Sequence, residues 1–376
     1  MWSINATKVP TKHKSKIKLL RQKTNPIPLT IYHQNIRGLR GKTNALLCQL
    51  YPTLPHILCL SEHHMNPSEL QQTFLGNYKL GASYCRTSYE KGGICIFVQE
   101  SLSFVKIDLE KYCKDKDLEI CAIKISFNSK SANILAIYRA PSGNFDLFLS
   151  KLDTILRKLY TATTEYIICG DLNVDFLVHS DRKSRLESLL NTYNLTSVVN
   201  FPTRTQNLSS TAIDNFFIDI FKMRNYSICP IINGLSDHDA QSIKLPFFSP
   251  ELPPKKYRLI REINEHTINN FHRNLSYETW ETVFSTEDIN RMFNSFLDSY
   301  LKIFNSSFPL KRVYSAKKST KWITPCIITS CKHKRELFIA TRNSNNLALI
   351  KHYKRYCKIL TIVIKEAKKL YYANKI

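Results

Sequence analysis

Six short polar segments punctuate residues 34–238, and four of them close an apolar run of strand character. In order they are Gln34-Asn35-Ile36-Arg37-Gly38, Ser61-Glu62-His63-His64, Ile137-Tyr138-Arg139-Ala140-Pro141, Gly170-Asp171-Leu172-Asn173, Ala212-Ile213-Asp214 and Ser236-Asp237-His238. A polar group that follows a buried strand emerges at the strand's end, where the chain leaves the sheet. A fold that pairs these strands therefore gathers carboxylates, a histidine, asparagines and a tyrosine at one place. Such a set suits a divalent cation and phosphoester hydrolysis.

The runs themselves dictate the layers. Leu29–Gln34, His56–Leu60, Tyr78–Cys85, Gly93–Gln99, Leu118–Phe127, Ala132–Tyr138, Tyr166–Cys169, Ile213–Ile218 and Ser242–Pro246 have strand composition. Gly41–Leu50 reads as a helix. Phe145–Tyr160 repeats apolar residues at helical period behind an Asn144 cap, and Ser184–Tyr193 is a second amphipathic helix. Successive strands without long helices between them predict antiparallel meanders. Strands inside and helices outside predict an α/β fold: a four-layer sandwich of two mixed, largely antiparallel sheets flanked by helices.

Charge divides the same chain into three. Of the net +24, residues 1–28 carry +7 with no acid, residues 29–249 carry +3 and residues 250–376 carry +14. The expected organisation is a basic leader of disordered character over 1–28, a catalytic domain over 29–249 and a helical basic extension over 250–376, joined near Leu252-Pro253-Pro254-Lys255-Lys256. Beyond that point strand signals vanish. Helical regions are expected at about Asn264–Ser306 and Thr329–Ala373, the second with an apolar stripe of Leu337, Leu347, Ile350, Tyr353, Tyr356, Leu360 and Ile364. Basic flanks point to a polyanion, through phosphate neutralisation and counterion release; a solvated charged surface is the plainer alternative.

Other classes are disfavoured. No apolar run has the length of a membrane-spanning helix, and no apolar segment follows the first lysines as a secretory signal requires. Eleven cysteines without a Cys-x-x-Cys pair predict a reducing, intracellular setting. Lys12–Lys18 suits nuclear import or nucleic-acid contact, so a nuclear location is expected. Cys326, Cys331, His333, His352 and Cys357 have poor spacing for structural zinc.

Taken singly, each segment has two readings. Asp171 and Asn173 suit water activation and phosphate contact, or serve as a loop in which both side chains cap backbone groups. Glu62 is a hard ligand for magnesium or a surface acid, while His63 and His64 beside it are poor magnesium ligands. His238 is a proton carrier that Asp214 can orient. Tyr138 meets a phosphate or packs, and Arg139 assists it or snorkels.

As an ordered set, the six segments resemble the endonuclease/exonuclease/phosphatase superfamily over about residues 29–249. Gln-Asn-Ile-Arg-Gly-Leu, Leu-Ser-Glu-His, Thr203-Arg204 and Leu235-Ser-Asp-His-Asp239 look most like the endonuclease of non-LTR, LINE-type retrotransposon polyproteins, and Lys321-Trp322-Ile323-Thr324-Pro325 resembles the linker toward the reverse transcriptase, before which this chain is expected to be truncated. The resemblance implies Asn35, Glu62 and Asp237 at the metal, Mg²⁺ with Mn²⁺ as substitute. It implies Tyr138 and Asn173 on the scissile phosphate, Asp171 on the attacking water, Asp214 paired with His238, and Arg139 and Arg204 on substrate. The expected activity is nicking of a DNA substrate, with the basic flanks touching DNA or RNA. A phosphatase acting on inositol phosphates or phospholipids, and an inactive nucleic-acid-binding remnant, are the alternatives. Ending the chain near Leu252 is expected to weaken binding and to leave the catalytic fold intact.

Overall fold

The computed structural model describes residues 28–88, 91–127, 130–161, 163–206, 209–246, 257–314, 322–342 and 344–374. The basic leader, including Lys12–Lys18, and the junction at Leu252–Lys256 lie outside the described residues. In chain order the first half runs β1 (Leu29–Asn35), α1 (Thr43–Leu50), β2 (Ile57–Ser61), α2 (Pro67–Gln71), β3 (Tyr78–Tyr84), β4 (Ile94–Gln99), β5 (Phe104–Ile107), β6 (Glu119–Phe127), β7 (Lys130–Tyr138) and α3 (Phe145–Leu159). It continues with β8 (Thr164–Asp171), α4 (Asp181–Asn191), β9 (Thr196–Ser197), β10 (Arg204–Gln206), β11 (Ser209–Thr211), β12 (Asp214–Ile218), β13 (Ser227–Ile231) and β14 (Ala240–Leu245). The remainder is β15 (Tyr257–Arg261), α5 (Glu265–Ser276), α6 (Glu281–Phe284), α7 (Ile289–Ser307), β16 (Leu310–Tyr314), α8 (Pro325–Arg342) and α9 (Leu347–Ala373).

Two six-stranded sheets form, in the orders β13-β14-β1-β2-β4-β3 and β5-β6-β7-β8-β12-β9. Within them only β1 with β2 and β7 with β8 run parallel. These are the pairs whose connections contain α1 and α3, as a parallel pair demands a crossover rather than a tight turn. Every other pairing in the two sheets is antiparallel. The four-layer reading therefore stands.

Apolar side chains fill three interfaces. Between the sheets, Ile31, Ile57, Cys59 and Ile96 meet Ile123, Ile134, Ile167 and Phe216. Outside the second sheet, Phe148, Leu152 and Ile155 of α3 and Leu186 and Leu190 of α4 pack on Leu135, Ile137 and Ile168. Asn144 caps α3 as its sequence predicts, its side chain accepting from the Leu147 amide at 2.9 Å. Outside the first sheet, Leu46, Leu47 and Cys48 of α1 share a core with Trp322, Ile323, Ile327, Cys331, Leu360 and Ile364.

That third interface changes the place of the C-terminal region. Helices α8 and α9 lie with α1 in the outer helical layer, and the lower part of the apolar stripe, Leu360 and Ile364, is buried there while Leu347 stays exposed. Removing the region beyond Leu252 would therefore strip apolar cover from α1, which bears against the expectation that such a cut leaves the catalytic fold unaffected. Strands also continue beyond that point. β15 and β16 pair antiparallel across the intervening helices. Their short mixtures of basic and apolar residues, Tyr-Arg-Leu-Ile-Arg and Leu-Lys-Arg-Val-Tyr, have no period-2 alternation to mark a strand. The region Asn264–Ser306 is helical as expected, divided into α5, α6 and α7, with Trp280 in a left-handed backbone conformation at the start of α6.

Candidate active site

Register brings the six segments together. Parallel pairing sets Asn35 opposite Ser61, which places Glu62 one residue beyond the end of β2. On the second sheet, Asp171 faces Tyr138 across β7 and Asp214 across β12. Gly170 is required for this approach, because a Cβ there would collide with the Ile137 carbonyl.

Asn35 joins the two sheets chemically. Its Nδ2 donates to Glu62 Oε1 at 2.8 Å and to Asp171 Oδ2 at 2.8 Å. Its Oδ1 accepts from the Arg37 amide at 3.1 Å, which fixes which end of the amide faces the acids. Glu62 also receives the Tyr138 hydroxyl at 3.0 Å and His64 Nε2 at 3.1 Å. Burial alone would raise the Glu62 carboxyl, but the hydrogen bonds from His64, Asn35 and Tyr138 override it and hold the group down at about 2.

Asp171 has the opposite fate. Burial and the neighbouring Asp214 carboxylate push it up to about 7, against the pull of His238 and Asn35. His238 Nδ1 lies 2.8 Å from Asp214 Oδ2. Burial would lower this imidazole, yet the Asp214 charge and hydrogen bond dominate and raise it to about 9. Asp214 Oδ2 accepts a further bond from Thr203 Oγ1 at 2.8 Å. Tyr138 is raised by burial and by Glu62 and Asp171, so its phenol keeps its proton.

Among the described residues, the grouping of acid and imidazole side chains close enough for one cation is Asp171, Asp214 and His238. The distal set Cys326, Cys331, His333, His352 and Cys357 forms none. Asp237 lies apart from the buried trio, its Oδ2 accepting from Arg37 Nη1 at 2.7 Å and Arg204 Nε at 3.0 Å. The Arg37 hydrogen bond, acting against burial, keeps its carboxyl below the usual range. Arg204 is thus tied to Asp237 at the rim, partly exposed. Asn173 sits beside the cluster, its Nδ2 donating to the Arg139 carbonyl at 2.8 Å.

One assignment is corrected by burial. Arg139 is fully enclosed, and its guanidinium donates to the carbonyls of Leu172, Ala140, Gly143 and Asn173. With its donors spent on backbone oxygens it has no face for substrate; it ties the Arg139–Gly143 turn to the Leu172–Asn173 turn. Sequence reasoning also missed Thr203 as a partner of Asp214 and His64 as a partner of Glu62. A lone threonine before a short strand carries no signal, whereas His64 adjoined the acid it serves. Arg86, paired with buried Glu119 and lying 5.6 Å from the Tyr138 ring centroid, was equally illegible.

Residues 132–241 match the family model described as endonuclease-reverse transcriptase. Solved structures similar to this chain include the endonuclease domain of TRAS1, a telomere-specific non-LTR retrotransposon, at 15% identity and TM-score 0.47, covering 58% of this chain and 98% of that one. An AP endonuclease from Leishmania major matches at 15% identity and TM-score 0.47, over 58% of this chain and 88% of its own. One from Archaeoglobus fulgidus matches at 18% and 0.45, over 58% and 99%. No curated protein matches the chain.

Proposed function

We propose that the protein is a divalent-metal-dependent DNA endonuclease that hydrolyses phosphodiester bonds, nicking target DNA as in target-primed reverse transcription. The observation that carries this reading is the Asn35 amide holding Glu62 and Asp171 together, one from each sheet, beside the Asp214–His238 pair. The donor set fits a hard cation. Glu62 is ionised and offers oxygen, and the raised Asp171 marks a buried excess of negative charge that a cation would relieve. Glu62 would hold Mg²⁺, or Mn²⁺ in its place, with the Asn35 amide fixing its spacing from Asp171. When bound, the metal supplies charge stabilisation on the phosphate and a more acidic water.

The remaining chemistry belongs to the chain. With Nδ1 engaged by Asp214, His238 has Nε2 for a phosphate oxygen, and as an imidazolium at neutral pH it donates there. Asp171, titrating near neutrality, accepts the proton of the attacking water. Tyr138 orients Glu62 through its hydroxyl. Asn173 stands where its amide can reach the same phosphate, and Arg204 lies at the rim for the flanking backbone. The expected products are a 3′-hydroxyl and a 5′-phosphate.

Nicking of supercoiled DNA with Mg²⁺, comparing wild type with Asp171→Ala and His238→Ala, tests the assignment. Each variant is expected to lose on the order of a hundredfold or more in rate. Equal nicking by all three proteins would sink it. Phosphate release from inositol phosphates with no DNA cut would move the activity to the phosphatase branch.

A further inference from the structure

Helix α8 touches the domain beside the histidine. The loop that carries His238 runs from Gly234 to Asp239, and α8 meets it at both ends. Gly234 has φ +63° and lies so close to Phe338 that a Cβ would stand 2.9 Å from its ring. Its carbonyl accepts from Lys334 Nζ at 3.4 Å. At the other end, Arg342 Nη1 reaches Asp239 Oδ2 at 2.8 Å, with both side chains largely buried, 14% and 7% exposed. The Asp239 amide donates to the Thr203 carbonyl at 2.6 Å, and Thr203 is the residue whose hydroxyl holds Asp214. A buried ion pair from α8 is thus one residue from His238 and two hydrogen bonds, through Thr203, from its orienting acid.

We infer that α8 braces the His238 loop, and that Arg342 is a positioning residue for the reaction through its ion pair with Asp239. Phe338 and Lys334 close the loop's first turn, and Arg342 closes its last. Removing one partner of a buried pair leaves the other charge uncompensated, so the loop would loosen where the imidazole must be held. This deepens the endonuclease reading and rests on it for its rate measurement, though not for its structural one.

The test uses the full chain and two readouts. Hydrogen exchange of the amides from Gly234 to Asp239 is compared in wild type, Arg342→Met, Arg342→Lys and the paired variant Arg342→Met/Asp239→Asn. Exchange in the strands β1 and β2 is the control for global unfolding. Arg342→Met is expected to speed loop exchange at least tenfold with the strands unchanged. It should also lower kcat for DNA nicking at least tenfold, with KM within about threefold. Arg342→Lys, which keeps a cation against Asp239, is expected to recover most of both, whereas the paired variant, which lacks the ion pair, is expected to keep the loose loop. Unchanged loop exchange in a folded Arg342→Met protein would overturn the inference, as would a loss confined to KM. If Arg342→Met unfolds, the paired variant decides: wild-type-like strands with a loose loop support the ion pair as the brace, and a loop as tight as in wild type refutes it. A wild type that nicks nothing defeats the endonuclease reading alone, and the exchange comparison still decides the brace.

Discussion

Left-handed backbone concentrates in the polar segments. Arg37, Glu62, His64 and Asn173 all have positive φ, at 44°, 53°, 55° and 50°. A side chain other than glycine pays for that conformation, and the hydrogen bonds of the cluster are what over-determine it: Asn35 accepts from the Arg37 amide, and Asp171 Oδ1 from the Asn173 amide at 3.0 Å. The turn after each strand end is thereby bent so that a carboxylate or amide faces the site instead of continuing along the sheet. His238 adds a pH dependence whose sign follows from its raised value. Above its unfolded pKa of about 6.5, the folded protein still binds the proton that the unfolded chain has released. The stabilisation is fully present below about 6.5 and is lost as pH rises through about 9. In metal-free buffer, the stability gap between wild type and His238→Ala is therefore expected to shrink between pH 6.5 and 9.5, by up to about 3 kcal/mol. Urea denaturation across that range measures it, and a constant gap would mean that Asp214 does not hold an imidazolium.

Elements show which parts of this arrangement were legible. The strands that lead to Glu62, Tyr138 and Asp171 were visible because each holds an apolar run, Ile57–Leu60, Ile134–Ile137 and Tyr166–Cys169, buried on both faces and followed by polar residues. α3 was visible through its period and its Asn144 cap. β15 and β16 were not, since their pairing joins segments about fifty residues apart and leaves no local mark. The docking of α8 and α9 was hidden for a related reason: an apolar stripe says that something covers it without saying what. Here the cover is α1. Trp322, Ile323, Ile327, Cys331, Leu360 and Ile364 bury apolar surface at roughly 1.5–3 kcal/mol per large side chain. A chain ended at residue 246 is therefore expected to lose several kcal/mol and to melt markedly lower. Calorimetry of that truncated form checks this, and an unchanged Tm would show the helical pair to be a passive neighbour.

For the whole molecule, charge and chemistry occupy separate surfaces. The acid cluster is buried at the meeting of the two sheets. Lys351, Lys354, Arg355, Lys358, Lys365 and Lys369 of α9 are exposed, on a helix of 27 residues. Such a row suits the phosphate backbone of a nucleic acid, each contact releasing counterions. Replacing Lys354, Arg355 and Lys358 by serine is expected to make the plot of log affinity against log salt shallower by about 1–3 for duplex DNA, with the fold retained. Fluorescence anisotropy from 50 to 200 mM salt reads it, and an identical slope would assign these charges to solvation.

The order of the six segments carried, by itself, the resemblance to a superfamily and the list of groups that meet, because strand ends and their polar residues are written consecutively along the chain. Tertiary structure decided how those groups divide the work. Only packing shows that Arg139 is spent on four carbonyls, that Asn35 couples two acids from different sheets, and that those two acids, Glu62 and Asp171, are pulled to opposite sides of their ordinary values. Burial and distance set these roles, and neither is a property of the linear sequence. The same holds for the basic C-terminal region: its charge was plain from composition, while its place in the outer helical layer, with Arg342 on Asp239, depends on contacts between residues about a hundred positions apart.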